Sequence, residues 1–97
     1  MATYVTLVNF TEQGARNIKD TIKRTDAAKQ AGVAAGVTIK EVLWTQGQYD
    51  IVIVSESNDE IAANALILAA AKAGNIRTQV MRAFTAAEMQ KILDKIP

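Results

Sequence analysis

Four stretches of the chain have the apolar pattern of β-strands. They are rich in β-branched and aromatic residues and hold no Gly or Pro, which suits strands. The predicted strands are Tyr4 to Phe10, Val37 to Thr45, Asp50 to Glu56 and Thr78 to Phe84. The stretch Trp44 to Asp50 contains Gly47 and is typical of a short turn. We therefore expect the second and third strands to form a hairpin.

Three stretches between and after the strands predict helices. The first begins at the capping residue Thr11 and ends before Gly36, a natural left-handed terminator. The other two each begin with a capping box, a Ser or Thr followed three residues later by Glu, whose side chains satisfy free backbone amides. These boxes are Ser57 with Glu60, ahead of the apolar helix Ile61 to Ala73, and Thr85 with Glu88, ahead of Met89, Ile92, Leu93 and Ile96.

The predicted order is strand, helix, strand, strand, helix, strand and a terminal helix. This order is that of the ferredoxin-like β-α-β-β-α-β fold, an α+β architecture with a four-stranded antiparallel sheet. The 97 residues suffice for one domain, which we expect to span residues 1–97. Both main helices then cover the same face of the sheet.

The opposite face of this sheet is predicted to be apolar as well. In the first strand Val5 and Leu7 alternate with Tyr4, Thr6 and Val8, so both alternating sets are largely apolar. In a sheet with one solvent-exposed face, apolar and polar residues alternate more regularly along each strand. Since no spare segment is long enough to cover the second face, we expect another subunit to do so, in a sheet-to-sheet homo-oligomer.

Composition excludes several classes of function. The chain has no Cys and no His and a formal charge of +1. Disulfides, thiolate catalysis and the usual zinc and haem ligands are thereby removed, so no metal and no cofactor is predicted. The weak charge predicts no nucleic acid and no membrane partner. Because no apolar run suits a signal peptide or a membrane span, a cytoplasmic location is expected.

The first helix carries a group of basic residues that is interpreted as a solvated surface. Its acids interleave with its bases, which is typical of an exposed helix face rather than of a nucleic-acid site. The bases are Arg16, Lys19, Lys23 and Arg24, and the acids are Glu12, Asp20 and Asp26.

The chain resembles the GYD domain family over nearly its whole length. The resemblance rests on Tyr4-Val5-Thr6-Leu7, Phe10-Thr11, Gln13-Gly14, Asn17-Ile18-Lys19, Gly47-Gln48-Tyr49-Asp50, Gly74-Asn75-Ile76-Arg77-Thr78 and Ala83-Phe84. Here Gln48 stands between the Gly and the Tyr of the family's naming letters. The resemblance implies a ferredoxin-like fold of the dimeric α/β barrel type and no settled activity.

The chain is also similar to the ligand-binding and assembly domains of leucine-responsive-type transcription regulators. The similarity rests on Gly47, Tyr49, Asp50, Gly74 and Thr78. In those domains the corresponding loops bind small effectors at subunit interfaces, but no helix-turn-helix precedes the domain in this chain. Because fold does not imply function, this similarity adds only a hypothesis of effector binding.

Six residues are predicted to line a ligand site: Tyr4, Trp44, Tyr49, Asp50, Arg77 and Arg82. The Tyr49 hydroxyl and the Asp50 carboxylate can serve a pocket at the strand end. The alternative is that Asp50 stabilises the turn while Tyr49 packs on the sheet.

The two arginines have alternatives of their own. Arg77 can clamp a carboxylate or phosphate of a ligand, or can form an ion pair with Asp50 or Glu41. Arg82 either meets an acid across an interface or points into a pocket.

The aromatic candidates lie on predicted strands. Trp44 shares a strand parity with Val42 and Lys40, and Tyr4 shares one with Thr6. An aromatic-lined cavity between two sheets is therefore one hypothesis. Ordinary core or interface packing is the alternative, because aromatic rings bury much apolar area.

No spacing pairs an acid with a base or a nucleophile, so the catalytic residues stay unknown. Glu41, Asp50, Glu56 and the two tyrosines are the available proton-transfer groups. The leading hypothesis is an oligomeric module for small-molecule binding or assembly, with an anionic or aromatic metabolite as ligand. The alternative is a cofactor-independent dimeric-barrel enzyme of the oxygenase or isomerase type.

Overall fold

A computed structural model describes all 97 residues of the chain. The strands are β1 (Ala2–Phe10), β2 (Val37–Trp44), β3 (Ile51–Ser57) and β4 (Ile76–Ala83). The helices are α1 (Glu12–Arg16), α2 (Thr21–Ala35), α3 (Glu60–Lys72) and α4 (Ala86–Asp94), with a 3₁₀ turn at Ile18–Asp20. The predicted elements are thus all present, with ends that move by one or two residues at most strand termini.

The four strands form one sheet in the order β2-β3-β1-β4, and every neighbouring pair is antiparallel. Each of the two βαβ units therefore leaves a gap between its strands, which a strand of the other unit fills. This is the ferredoxin-like α+β arrangement, so the predicted fold class is confirmed. The dimeric form of that fold stays a prediction.

Helices α2 and α3 cover one face of the sheet. On β1 the buried residues Tyr4, Thr6 and Val8 alternate with half-buried neighbours, because successive side chains point to opposite faces. Tyr4 packs with Val37 and Ala63 in the small core between sheet and helices. We call this face of the sheet the helix face.

The other side of the sheet, which we call the open face, is covered by no helix. It carries the alternate residues of the strands, and its centre is apolar. The register of the strand pairs brings together Val5, Leu7, Val52, Val54 and Met81 there. A doubly apolar sheet was predicted, and the structure has one.

A β-bulge in β2 decides which of its side chains lie on each face. Ile39 pairs with Ser55 and Glu41 pairs with Val54, so Lys40 is the extra residue. Beyond the bulge, Glu41 and Leu43 share the open face, while Val42 and Trp44 lie on the helix face. The predicted shared parity of Trp44 with Val42 is therefore right and that with Lys40 is wrong.

The first predicted helix is broken into α1, the 3₁₀ turn and α2. The break follows Asn17, whose φ of −99° and ψ of 27° leave the helical region. Helix α1 is held by the loop before β4, since the Thr11 hydroxyl donates to the Gly74 carbonyl at 2.6 Å. The chain changes direction between this anchored helix and α2, which packs on the sheet and on α3.

The helix ends match the predictions except at α3. Thr85 and Glu88 form the predicted capping box of α4, and Gly36 ends α2 with a φ of 76°. At α3 the capping residue is Asp59, whose carboxylate accepts from the Ala62 amide at 3.0 Å. The predicted cap Ser57 instead bonds the Gly36 carbonyl and the Asp59 backbone.

Helix α4 lies apart from the rest of the chain. It packs against no other element beyond isolated contacts, and the molecule is correspondingly elongated, at 51 × 31 × 18 Å. Its apolar residues are exposed. These are Met89, Ile92, Leu93 and, just beyond its end, Ile96.

Candidate functional site

The six residues predicted to bind a ligand do not form one cluster. Their strand positions divide them between the two sides of the sheet. Tyr4, Trp44 and Arg82 belong to the helix face, whereas Tyr49 and Arg77 belong to the open face and Asp50 lies at the strand end. A cavity between two sheets cannot be lined by Tyr4 and Trp44, because both lie under or beside the helices.

Asp50 has a clear structural contact. Its carboxylate accepts a hydrogen bond from the Phe10 amide at 2.8 Å, and its own amide donates to the Val8 carbonyl at 2.8 Å. Asp50 thus extends the pairing of β1 and β3 past the end of the ladder. This contact matches the turn-stabilising alternative, although the amide it satisfies belongs to the neighbouring strand.

On the open face Tyr49 reaches across β1. Its hydroxyl donates to the Gln79 side chain on β4 at 3.0 Å. Arg77, at the start of β4, is exposed and forms no ion pair with Asp50 or Glu41 within the chain. The two polar candidates therefore lie at one end of an apolar face.

Tyr4 and Arg82 lie together at the opposite end of the helix face. The guanidinium of Arg82 lies 5.9 Å from the Tyr4 ring centre and 4.4 Å from that of Phe84. It also lies 3.7 Å from the Glu88 carboxylate and donates to the carbonyls of Thr3 and Ala83. These contacts anchor the start of α4 to the end of β4.

Two pKa values are shifted in this cluster. Burial raises the pKa of the Tyr4 hydroxyl, the nearby Glu60 carboxylate raises it further, and Arg82 opposes both. The Thr85 amide, which donates to Glu88 at 2.9 Å, holds the pKa of that carboxyl below its usual value. Tyr4 therefore stays protonated, with its hydroxyl near the Glu60 carboxylate.

An apolar cavity lies between the sheet and helices α2 and α3. It has a volume of about 380 Å³, within the range of small-molecule sites. Its walls are almost entirely apolar. They include Val8, Phe10, Ile51, Ile53 and Ile76 from the strands and Ala28, Ala31, Leu66, Ala69 and Ala70 from the helices. We call this space the helix-side cavity.

A smaller cavity of about 70 Å³ lies in the same layer. The walls of the two cavities have six residues in common: Val8, Ala28, Ile53, Leu66, Ala70 and Ile76. Of the predicted site residues, Tyr4 lines the smaller cavity. Trp44 lines neither, but its Nε1 donates to Thr21 Oγ1 at 3.0 Å, and Thr21 is part of the wall of the larger one.

One charged residue lines the helix-side cavity, and the sequence interpretation missed it. Arg24 was assigned to a solvated helix surface, yet its Nη2 atom is buried and has no hydrogen-bond partner. Its Nη1 atom donates to the Asn17 carbonyl at 3.0 Å. The sequence did hold a sign of this cavity in the small residues on one face of α2. Alanines such as Ala28 and Ala31 leave room above an apolar sheet.

The structure holds neither a metal-binding cluster nor a helix that could span a membrane. No group of three or more acidic, His or Cys side chains is arranged to hold a metal ion. None of the helices has the length and hydropathy that a membrane-crossing helix requires.

The sheet order and helix layer define a ferredoxin-like α+β protein. The sequence matches the GYD domain over residues 4–93, so the chain belongs to the GYD domain family. It is also similar to the crystal structure of FFRP-DM1, with a TM-score of 0.61 and 20% identity. That match covers 87% of this chain and 100% of the other, and at this identity it shows the fold alone. No curated protein matches the sequence.

Proposed function

We propose that this protein is a homo-oligomeric module that binds a small molecule in the helix-side cavity. The observation that carries the proposal is an apolar space of about 380 Å³ in a chain of 97 residues. The space is open to solvent on one side, since Ala31 and Ala69 of its wall are exposed. Small-molecule sites are typically apolar concavities of this size with a few polar groups, and here a half-buried arginine supplies the polar group.

The six predicted site residues lie at different distances from the helix-side cavity, and only some of them are part of the proposed site. Tyr4 is in the wall of the adjoining smaller cavity, and Trp44 supports Thr21 of the larger one. Asp50 bonds the end of β1, and Arg82 contacts both the start of β1 and the first turn of α4. Tyr49 and Arg77 belong to the open face, where we propose an assembly role for them.

Binding is favoured over catalysis by the chemistry of the cavity wall. No carboxylate and no tyrosine lines the helix-side cavity, so the wall offers no general base. Tyr4 in the smaller cavity is the one proton-transfer group, and its raised pKa makes it a weak acid. The enzyme alternative therefore rests on Tyr4 alone.

A neutral apolar dye tests the proposal. We expect N-phenyl-1-naphthylamine to bind with a rise in its fluorescence, and Ala70→Phe to weaken that binding about tenfold or more by filling the cavity. Ala65→Phe is the matched control, because Ala65 is an exposed residue of the same helix outside the cavity wall. Absence of dye binding, or equal loss in both variants, would contradict the proposal.

Assembly is supported by a separate observation, the uncovered apolar open face. Single exposed apolar residues are ordinary, but Val5, Leu7, Val52, Val54 and Met81 are contiguous. Opposite charges flank them at opposite edges, with Arg77 on β4 and Glu41 on β2. Three strand spacings of about 4.8 Å separate these edges, so the two side chains cannot pair within one chain.

A second copy of this chain is the occupant that suits such a face. A two-fold contact uses the same patch on both subunits, so a surface with a basic edge and an acidic edge is complementary to itself. The exposed apolar side of α4 gives each copy further surface to bury. We therefore propose a sheet-to-sheet dimer as the basic unit.

We expect Val5→Asp to raise the dimer dissociation constant about a hundredfold or more, because it buries an unpaired charge in the contact. Light scattering at micromolar concentration measures the mass. Val33→Asp is the control, since Val33 is 78% exposed on α2, away from the open face. A wild-type monomer, or a dimer that survives Val5→Asp, would refute the sheet-to-sheet contact.

A further inference from the structure

The guanidinium of Arg24 is held at the wall of the helix-side cavity with one nitrogen unsatisfied. Its Nη1 atom donates to the Asn17 carbonyl at 3.0 Å, which fixes the orientation of the planar group. Its Nη2 atom is buried and donates to nothing. Buried donors without partners are costly and rare, and charged ones more so.

No acid in the chain neutralises this group. The cavity wall contains no Asp and no Glu, and Arg24 takes part in no ion pair. The cavity therefore combines an apolar wall with one positive charge that lacks a counter-ion.

A second free donor lies one helical turn away. Thr21 and Arg24 are three residues apart on α2, so they are neighbours on one face of the helix. Thr21 Oγ1 accepts from Trp44 Nε1 at 3.0 Å, which leaves the hydroxyl hydrogen of Thr21 free to donate. Thr25, by contrast, already donates to the Ile22 carbonyl at 2.8 Å.

We infer that the helix-side cavity binds a small carboxylic acid with an apolar body, whose carboxylate is held by Arg24 and Thr21. A carboxylate has two acceptor oxygens for the two free donors and supplies the missing negative charge. The apolar walls suit an aliphatic or aromatic body and offer no partners for a sugar or a nucleotide. This inference rests on the proposed function and names the ligand class.

Trp44 provides a direct readout of binding. It is the one tryptophan of the chain, and its indole nitrogen bonds the same threonine that we assign to the carboxylate. A ligand that accepts a hydrogen bond from the Thr21 hydroxyl changes the surroundings of the indole. We therefore expect Trp44 emission to change on titration with decanoate.

The first experiment compares decanoate with decanol on the wild-type protein at concentrations below micelle formation. The two molecules share the apolar body and differ in the charged head. We expect decanoate to displace N-phenyl-1-naphthylamine about tenfold more tightly than decanol, since charge-assisted hydrogen bonds are roughly twice as strong as neutral ones. Equal affinities, or tighter decanol, would overturn the inference.

The second experiment removes the charge. Arg24→Met keeps an apolar stem, and we expect it to weaken decanoate about tenfold while decanol binding stays within about twofold. Lys23→Met is the matched control, because Lys23 is the exposed neighbour outside the cavity wall and loses the same charge. If decanoate binding is unchanged in both variants, or is weakened equally in both, the assignment to Arg24 is wrong.

The design separates the inference from the proposed function. If the neutral dye binds and decanoate has no advantage over decanol, the cavity takes ligands and the carboxylate assignment is wrong. If the dye and both chain molecules fail to bind the wild-type protein, the cavity takes no ligand and both are wrong. The wild-type comparison needs no variant to fold.

Discussion

Replacing Gly14 with Ala is expected to lower the free energy of unfolding by about 3 kcal/mol, the upper part of the range for overpacked sites. A Cβ at this position would lie 1.9 Å from the Asn75 carbonyl oxygen and 2.9 Å from its carbonyl carbon. Both are backbone atoms, so no side-chain rotation relieves the contact. Helix α1 or the loop before β4 must move instead.

The surrounding hydrogen bonds resist that movement. The Thr11 amide donates to the Asn75 carbonyl at 3.1 Å, and its hydroxyl donates to the Gly74 carbonyl at 2.6 Å. Gln13 Nε2 lies 3.1 Å from both the Ala73 carbonyl and the Asn75 side chain. A shift of α1 away from the loop breaks several of these bonds together.

Urea unfolding followed by circular dichroism measures the change. Gly36→Ala is the comparison, because nothing lies within 4 Å of an added Cβ there and the cost comes only from a φ of 76°. We expect that variant to lose about 1 kcal/mol. Equal losses in the two variants would contradict the close-approach explanation. Because Asn75 also lines the helix-side cavity, Gly14→Ala should weaken dye binding as well.

Replacing Asp50 with Ala is expected to cost about 2 kcal/mol of folding free energy, as is typical when a hydrogen bond to a charged acceptor is lost. The Phe10 amide, which now donates to the carboxylate at 2.8 Å, would be left in a half-buried position without a partner. The end of the β1 and β3 pairing would then loosen.

Two variants make this expectation specific. Asp50→Asn keeps an acceptor oxygen, so it should lose less than half as much stability as Asp50→Ala. Asp26→Ala removes an exposed acid of α2 that makes no side-chain hydrogen bond, and should change stability by less than about 0.5 kcal/mol. If Asp50→Ala behaves like Asp26→Ala in urea unfolding, Asp50 is not a structural residue.

The strands, the β2–β3 hairpin and the terminal helix could be predicted from the sequence because they depend on local signals. Alternation, the Gly47 turn and the Thr85 capping box each act within a few residues. The break after Asn17 could not be predicted in this way. The helix before the break is held by a contact between Thr11 and Gly74, which are 63 residues apart, and no local pattern indicates that contact.

The candidate site was harder to predict than the fold for a related reason. Whether Asp50 serves a ligand pocket or stabilises the structure depends on its hydrogen-bond partner, and that partner is an amide on another strand. Arg24 has the same sequence surroundings as Lys23, yet one lines a cavity and the other is exposed. Which of two adjacent cations points inward depends on how α2 lies on the sheet, and charge patterning along the chain carries no such information.

The bulge at Lys40 determines which side chains of β2 lie on each face of the sheet. If the bulge were straightened so that Lys40 paired with Val54, every position from Glu41 to Trp44 would exchange sides. The indole that supports Thr21 would then lie on the open face, and Leu43 would turn toward the helices. A single irregularity in the backbone of β2 therefore determines which of its side chains are available to a ligand under the helices and which are available on the open face.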